Sequence, residues 1–212
     1  MAGSLEVELK LRAEDEAALQ HLATLDRLGP CELGPPREIP ELDRYLDTAD
    51  GRLAAARWAC RLRTRDGTVR VSLKGPAQHA VGDAVHRRPE LEGPAVDDLD
   101  PERWPPSAAR DHLLGLSGGQ PLVERLALRQ LRTERQASAG DPVGVLSLDR
   151  VTVLARGQED GRFLAVELEL TGDASDGPLA HAVFAALRAV NGLKPEPRTK
   201  LERALAMLPA TP

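Results

Sequence analysis

The chain reads as an α+β domain: an eight-stranded antiparallel β-barrel with peripheral helices. Three observations predict this. Eight segments carry the period-2 alternation or the β-rich composition of strands. Short turns such as Arg65-Asp66-Gly67 and Glu159-Asp160-Gly161 join successive segments, so sequence neighbours run antiparallel. So many strands in one chain must hide their edges, and closure into a barrel removes edges altogether. The 212 residues are 42% apolar and 29% charged, which suits a globular rather than a disordered chain. With two Trp, one Tyr and two Phe, the core must rest on Leu, Val and Ala.

Strong alternation opens the chain: in Leu5-Glu6-Val7-Glu8-Leu9-Lys10-Leu11 the apolar residues take every odd position. From Glu14 to Leu28 the spacing of Ala17, Ala18, Leu22 and Leu25 predicts a helix, ended by Gly29-Pro30. Gly34 to Pro40 reads as loop and Asp43 to Thr48 as a strand, followed by a helical turn at Arg52 to Ala56. Trp58 to Thr64 and Thr68 to Lys74 form a hairpin. Gly75 to Gly82 is loop, and Ala84 to Glu92 is a strand in which Pro89 marks an edge or bulge. A Pro- and Asp-rich connection over Gly93 to Pro106 leads to a helix from Ser107 to Leu116, stopped by Gly118-Gly119. The last three strands are Leu122 to Gln136, Gly144 to Leu154 and Arg162 to Leu170. An amphipathic helix over Gly177 to Val190 and a final helix near Arg198 to Met207 close a single domain of residues 1–212, its barrel at about 4–171.

Composition excludes several classes of function. No apolar run approaches the ~20 residues of a membrane helix, and the N-terminus lacks the basic and apolar regions of a signal peptide. Cys31 and Cys60 form neither a metal cluster nor a disulfide framework, so a reduced, cytoplasmic protein is expected. The formal charge of −5 argues at first against nucleic acid or any other polyanion as partner. His21, His79, His86, His112 and His181 have no metal-ligand spacing. Cys60 falls on the strand face opposite Arg61 and Arg63, where a small apolar side chain packs.

The polar strand faces carry the functional signal. Glu6, Glu8 and Lys10 share one face, as do Arg61 and Arg63; Arg70, Ser72 and Lys74; Arg88, Glu90 and Glu92; and Glu167 and Glu169. Any one of these could be an ordinary solvated strand face. Together, repeated like charges at i and i+2 call for a counter-charge between them. Paired carboxylates suit Mg²⁺ or Mn²⁺, and converging Arg and Lys suit phosphate oxygens. A barrel with these faces turned inward would be a tunnel for metal and polyphosphate, and net charge would say nothing about it.

In order along the chain, these residues resemble the CYTH superfamily, also called triphosphate tunnel metalloenzymes. Glu6-Val7-Glu8-Leu9-Lys10 resembles its ExExK signature, Tyr45-Leu46-Asp47-Thr48 its Y-[FL]-D-T strand, and Arg61-Leu62-Arg63 a shifted L-R-x-R element. Leu73-Lys74-Gly75, Arg88-Pro89-Glu90-Leu91-Glu92, Thr133-Glu134-Arg135, Ser147-Leu148-Asp149, Val166-Glu167-Leu168-Glu169-Leu170 and Thr199-Lys200-Leu201 resemble later elements in family order, so the likeness runs from Leu5 to Leu205. It implies an eight-stranded tunnel that binds a small-molecule triphosphate with Mg²⁺ or Mn²⁺. By motif, Glu6, Glu8, Glu167 and Glu169 would hold metal, supported by Asp149 and by Glu90 or Glu92. Lys10, Arg61, Arg63, Lys74, Arg88, Arg135 and Lys200 would bind the triphosphate. Lys10, Lys200 and Glu169 are the expected catalytic groups, Glu169 positioning the attacking water. Arg132 falls on the strand face opposite Arg135 and stays outside the expected set.

The resemblance implies a divalent-metal-dependent triphosphatase, with inorganic triphosphate ranked first. Thiamine triphosphate ranks below it, because few aromatic residues could stack on its rings. Adenylate cyclase would need an adenine pocket that no segment suggests. A binding module for polyphosphate or nucleotide without turnover is the alternative of a different class, and nucleic acid and membrane are not expected partners.

Overall fold

A computed structural model describes residues 4–76, 85–172 and 177–209. Eleven strands occur among them: β1 Ser4–Ala13, β2 Arg27–Leu28, β3 Cys31–Leu33, β4 Arg37–Thr48, β5 Ala59–Arg65, β6 Thr68–Lys74, β7 Val85–Pro94, β8 Leu122–Ala139, β9 Asp141–Ala155, β10 Gln158–Leu170 and β11 Leu193–Pro195. The helices are α1 Glu16–Thr24, α2 Arg52–Ala55, α3 Ala108–Ser117, α4 Pro178–Arg188 and α5 Lys200–Leu205, with a 3-10 turn at Pro101–Arg103. Eight strands pair antiparallel in the order β8, β4, β5, β6, β7, β1, β10, β9, and a β8–β9 ladder closes the ring. This is the eight-stranded antiparallel barrel the alternation predicts; β2, β3 and β11 are short additions at its margins.

Two departures from the sequence expectation have local causes. The segment expected as loop before Pro40 is strand, because β4 runs from Arg37 and all twelve of its residues pair along β8, past a bulge at Arg125. Pro40 sits within it, and Gly140, with φ of 84°, lets β8 pass directly into β9. The expected helix over Glu14 to Leu28 stops at Thr24, and Arg27–Leu28 turn back as β2. The expected start of β7 at Ala84, and His79, lie outside the described residues.

Outward-facing apolar residues of the wall are covered in two places. Leu9, Leu11, Leu146, Leu148, Val166 and Leu168 pack under α1 and α4 through Leu19, Leu22, Val183 and Leu187. Leu62, Val71 and Leu73 pack with Cys60 under α2 and α3 through Leu53, Ala109 and Leu113. The α3 end is an αL cap on Gly118, where the sequence places Gly-Gly. With the odd residues of β1 occupied outside, Glu6, Glu8 and Lys10 must turn into the barrel.

Candidate active site: a charged tunnel closed at one end

The inner wall is continuous in register. Glu6 stands opposite Arg88, Lys10 opposite Glu167, Lys74 opposite Glu90, Asp43 opposite Arg63, and Glu41 opposite Arg65. The barrel has two unlike ends. Toward one, the inward residues are Glu41, Arg65, Glu92, Glu134 and Glu169, with Glu92 and Glu169 exposed; this is the rim. Toward the other, the same strand faces turn apolar at Tyr45, Leu126, Leu128, Val151, Val153 and Phe163, and Ala204, Leu201 and Leu208 of the C-terminal segment pack onto them as a floor.

Between rim and floor, opposite charges interlock. Arg88 donates to Glu6 at 2.7 Å and to Glu8 at 2.9 Å, and Lys74 binds Glu6 and lies 3.3 Å from Glu90. Lys10 bridges Glu8 at 2.6 Å and Glu167 at 3.0 Å. The Arg132 guanidinium grips Asp149 with two hydrogen bonds of 2.7 and 2.9 Å. Asp43 takes the same two-pronged bond from Arg63 at 2.7 and 2.8 Å, and a further one from Gln130 at 2.8 Å. Such forked pairs fix geometry as well as charge.

Lys200 comes from outside the barrel. Thr199 and Glu202 form a capping box at the start of α5: the Thr199 hydroxyl accepts from Glu202 N–H at 3.2 Å, and the Glu202 carboxylate accepts from Thr199 N–H at 2.7 Å. That cap puts Lys200 in the first turn, its ammonium 2.6 Å from both Asp149 and Glu167. Lys10, Tyr45, Arg61, Lys74, Arg88, Glu167 and Lys200 line a small pocket of about 50 Å³ beside the start of α5. Its lining holds five cations and one carboxylate.

The electrostatics follow from this arrangement. Burial pushes the Glu6 and Glu167 carboxyls upward, but their cations outweigh it and hold both well below the usual carboxylate range. Asp43 is held low in the same way by Arg61 and Arg63. Glu167 and Glu8 outweigh the cost of burial at Lys10 and raise it. Glu169 and Glu90 go the other way. Enclosure by the wall and the negative charge of Glu6, Glu8 and Glu90 raise Glu169 to about 7. Glu169 stands directly opposite Glu8 across the β1–β10 ladder, a like-charged pair that costs free energy without a counter-ion.

The structure brings Glu6, Glu8, Lys10, Arg61, Arg63, Lys74, Arg88, Glu90, Asp149, Glu167, Glu169 and Lys200 to the tunnel wall. Glu92 reaches only the rim, half exposed and 3.5 Å from Arg70. Arg135 is a correction. Its strand face points out of the barrel, and its guanidinium donates to the carbonyls of Leu22, Ala23, Leu25, Leu33 and Gly34 at 2.5 to 3.1 Å. It clamps the α1–β3 connection and cannot reach a tunnel ligand. The inward arginine of β8 is Arg132, left out of the expected set because it faces away from Arg135. Glu41, Asp43, Arg65, Gln130 and Glu134 also join the wall unannounced; counting by twos from Tyr45 and Arg63 would have found Asp43, Glu41 and Arg65. Asp47, within a family-like motif, accepts the N–H groups of Thr48, Leu53 and Ala54 at 2.7 to 3.1 Å and so caps α2.

Among the described residues, no three carboxylate, His or Cys side chains stand together as a ready metal cage, since tunnel cations lie between them. No helix among those residues is long and apolar enough to cross a membrane.

Comparison with known proteins agrees with the geometry. HpAC1 from Hippeastrum, named as an adenylyl cyclase and described as having a dominant triphosphatase activity, superposes with a TM-score of 0.69 at 21% identity over 95% of each chain. A Bacillus halodurans protein named as an adenylate cyclase gives 0.62 at 20% identity, over 96% of this chain and 98% of that one. The PH1819 protein from Pyrococcus horikoshii gives 0.54 at 20%, over 94% and 98%. At such identities the likeness establishes the fold. A search of curated protein sequences finds no match. The model of the CYTH domain matches residues 4–205, and the chain therefore belongs to the CYTH domain family.

Proposed function

We propose that the protein is a divalent-metal-dependent hydrolase of triphosphate compounds, acting on inorganic triphosphate to release pyrophosphate and phosphate. One observation carries this reading: among the described residues, Lys10, Arg61, Lys74, Arg88 and Lys200 converge on one pocket with Glu167 as its only lining carboxylate. A triphosphate brings four or five negative charges, and buried cations in a water-poor channel stabilise them far better than water does. Phosphoryl transfer asks little covalent chemistry of the protein, so no Ser or Cys nucleophile is needed. The description of HpAC1 as a triphosphatase supports the same reading.

The carboxylates fit Mg²⁺ or Mn²⁺ as the cofactor. Glu8 and Glu169 face each other with like charge, and Glu6 and Glu90 stand beside them, an oxygen-only donor set in excess of negative charge. Lys10, Lys74 and Arg88 lie among them, so these four would hold the ion once the cations turn to the phosphates, with Glu167 and Asp149, paired to Lys200 and Arg132, in support. When bound, a divalent ion withdraws charge from the phosphoryl group being transferred. The chain's own groups do the rest: Lys10 and Lys200 neutralise the phosphates from the two carboxylate oxygens of Glu167, and Glu169 positions the attacking water.

The inorganic substrate is favoured over thiamine or nucleoside triphosphates by where the aromatic residues sit. Trp58 packs edge-on against His112, Trp104 and Phe184 lie in the outer clusters, and Tyr45 and Phe163 belong to the floor. The rim therefore has no aromatic surface for an organic base. The test is phosphate release from tripolyphosphate, thiamine triphosphate and ATP, each with Mg²⁺ and with Mn²⁺. Fastest release from tripolyphosphate is expected. Binding without release from any of the three would make the protein a binding module, and a preference for thiamine triphosphate would overturn the ranking.

A further inference from the structure

We propose that Glu41 is a specificity-determining residue: a buried carboxylate just inside the rim that ends the tunnel's attraction for phosphate after a short chain, so that phosphates beyond the third add no affinity. The proposal rests on the triphosphate reading and adds the residue that sets chain length.

The β4–β5 ladder leads from the pocket toward the rim. Tyr45 and Arg61, which line the pocket, face each other in register. Asp43 and Arg63 form the next inward pair, and Glu41 and Arg65 the one after. Glu41 is four residues along the strand from Tyr45, about 14 Å at the usual rise. A phosphate chain held by the pocket cations meets Glu41 only as it grows toward the rim.

Three guanidinium groups surround Glu41, and each has its forked partner elsewhere. Arg63 grips Asp43, Arg132 grips Asp149, and Arg65 grips Glu134 at 2.8 and 2.6 Å. Arg61 and Lys200 reach Asp43 and Asp149 from the pocket side. Glu41 is the carboxylate left over. It is buried, its Oε2 lying 3.2 Å from Arg63 Nη2 and 3.6 Å from Arg132 Nε. Among the described residues that oxygen accepts no hydrogen bond, and Oε1 has a long one of 3.4 Å from Arg65. Gln130, opposite Glu41 on β8, gives its amide N–H to Asp43, and its own Oε1 is also without a donor.

The charge of Glu41 is therefore compensated through space rather than by hydrogen bonds. Asp43, Asp149 and Glu134 already match Arg63, Arg132 and Arg65 one for one, so Glu41 leaves this wall with a carboxylate in excess. A fourth or fifth phosphate must break a forked pair or lie against that excess charge, and like charges repel strongly where water is excluded. Glu41 thus divides the tunnel into a pocket that draws phosphate and a stretch beyond it that does not.

Calorimetry at constant ionic strength compares linear tri-, tetra- and pentaphosphate on the whole protein, on Glu41→Gln and on Glu41→Asp, without metal so that neither chelation nor turnover intervenes. In the natural protein, affinity should change by less than about threefold between three phosphates and five. Glu41→Gln keeps the shape and removes the charge, and there pentaphosphate should bind at least about tenfold more tightly than triphosphate. Glu41→Asp keeps the charge and should keep the flat response. A tenfold rise with length in the natural protein overturns the proposal whatever the variants do. A flat response in folded Glu41→Gln also overturns it, and a rise in both variants makes packing the cause and does the same. Tripolyphosphate that binds without being hydrolysed would sink the triphosphatase reading and leave this comparison standing. Absence of binding by every chain overturns the role of Glu41, and the triphosphatase reading falls with it only if tripolyphosphate is also not hydrolysed with Mg²⁺ or Mn²⁺.

Discussion

Lys200 Nζ lies 2.6 Å from Glu167 Oε2, so the helix that closes the barrel is tied by an ion pair to the middle of the wall it closes. The same ammonium is a pocket cation, which joins closure and ligand binding in one side chain. Lys200→Met should weaken tripolyphosphate binding about 10- to 100-fold, the value of one or two charge-assisted bonds. Folding should lose less than about 3 kcal/mol, because Arg132 and Lys10 still face the two carboxylates. Calorimetry and urea unfolding measure the two effects separately.

The ionisation of Glu169 sets a pH dependence with a definite sign. Its carboxyl is raised to about 7 in the folded protein from an ordinary value of 4.5, so it is largely protonated on the acid side of neutrality. A metal must displace that proton, and Mg²⁺ or Mn²⁺ affinity should fall as pH drops below about 7. The metal-free fold should respond in the same window: the contribution of Glu169 to stability is fully present below its unfolded value and is lost as pH rises through 7. Glu6, Asp43 and Glu167, held low, contribute oppositely, with stability present above the unfolded carboxylate value and lost as pH falls through their folded ones. Glu169→Gln should flatten both dependences near neutrality, in metal titrations and in thermal melts across pH 5.5 to 8.5 at roughly constant salt.

Metal and anion should bind cooperatively. Glu6 and Glu8 pair with Lys74, Arg88 and Lys10, the groups a phosphate would need. A divalent ion on those carboxylates would free the cations, and linkage would make the effect equal in both directions. With inorganic phosphate as the anion, chosen because it chelates Mg²⁺ weakly, saturating Mg²⁺ should tighten anion binding about tenfold. Independent binding of the two would show that these ion pairs are not broken by metal.

Arg135 should be a stability residue alone. Its guanidinium serves five backbone carbonyls of the α1–β3 connection, and Arg135→Ala leaves several of them buried without a donor. A loss of about 3 kcal/mol in urea unfolding is expected. Arg135→Lys should recover little, since a single ammonium cannot reproduce the planar fork. Tripolyphosphate affinity of the folded variant should equal that of the natural protein.

Alternation made the barrel legible, because a strand with one apolar face has only one way to bury it. Leu5 to Leu11 state by themselves that Glu6, Glu8 and Lys10 share a face, and Arg61, Arg63, Lys74 and Arg88 follow from the same parity. Parity says which residues share a face but not which face is inside. Arg132 and Arg135 show the limit: three residues apart on β8, they necessarily point to opposite sides. Only the covering of the outer wall by α1 and α4 assigns Arg132 to the tunnel and Arg135 to the backbone of its neighbours. Residues far apart in the chain made the rest undecidable from local pattern. The forked pair of Arg63 with Asp43, the bond from Lys200 to Asp149 fifty-one residues away, and the closing of one barrel end by α5 each depend on register between strands. The composition could report that acids outnumber bases. Where five cations and Glu167 come to line one pocket is a property of the closed ring, since closure alone brings β1, β5, β6, β7, β10 and the C-terminal helix around a common space.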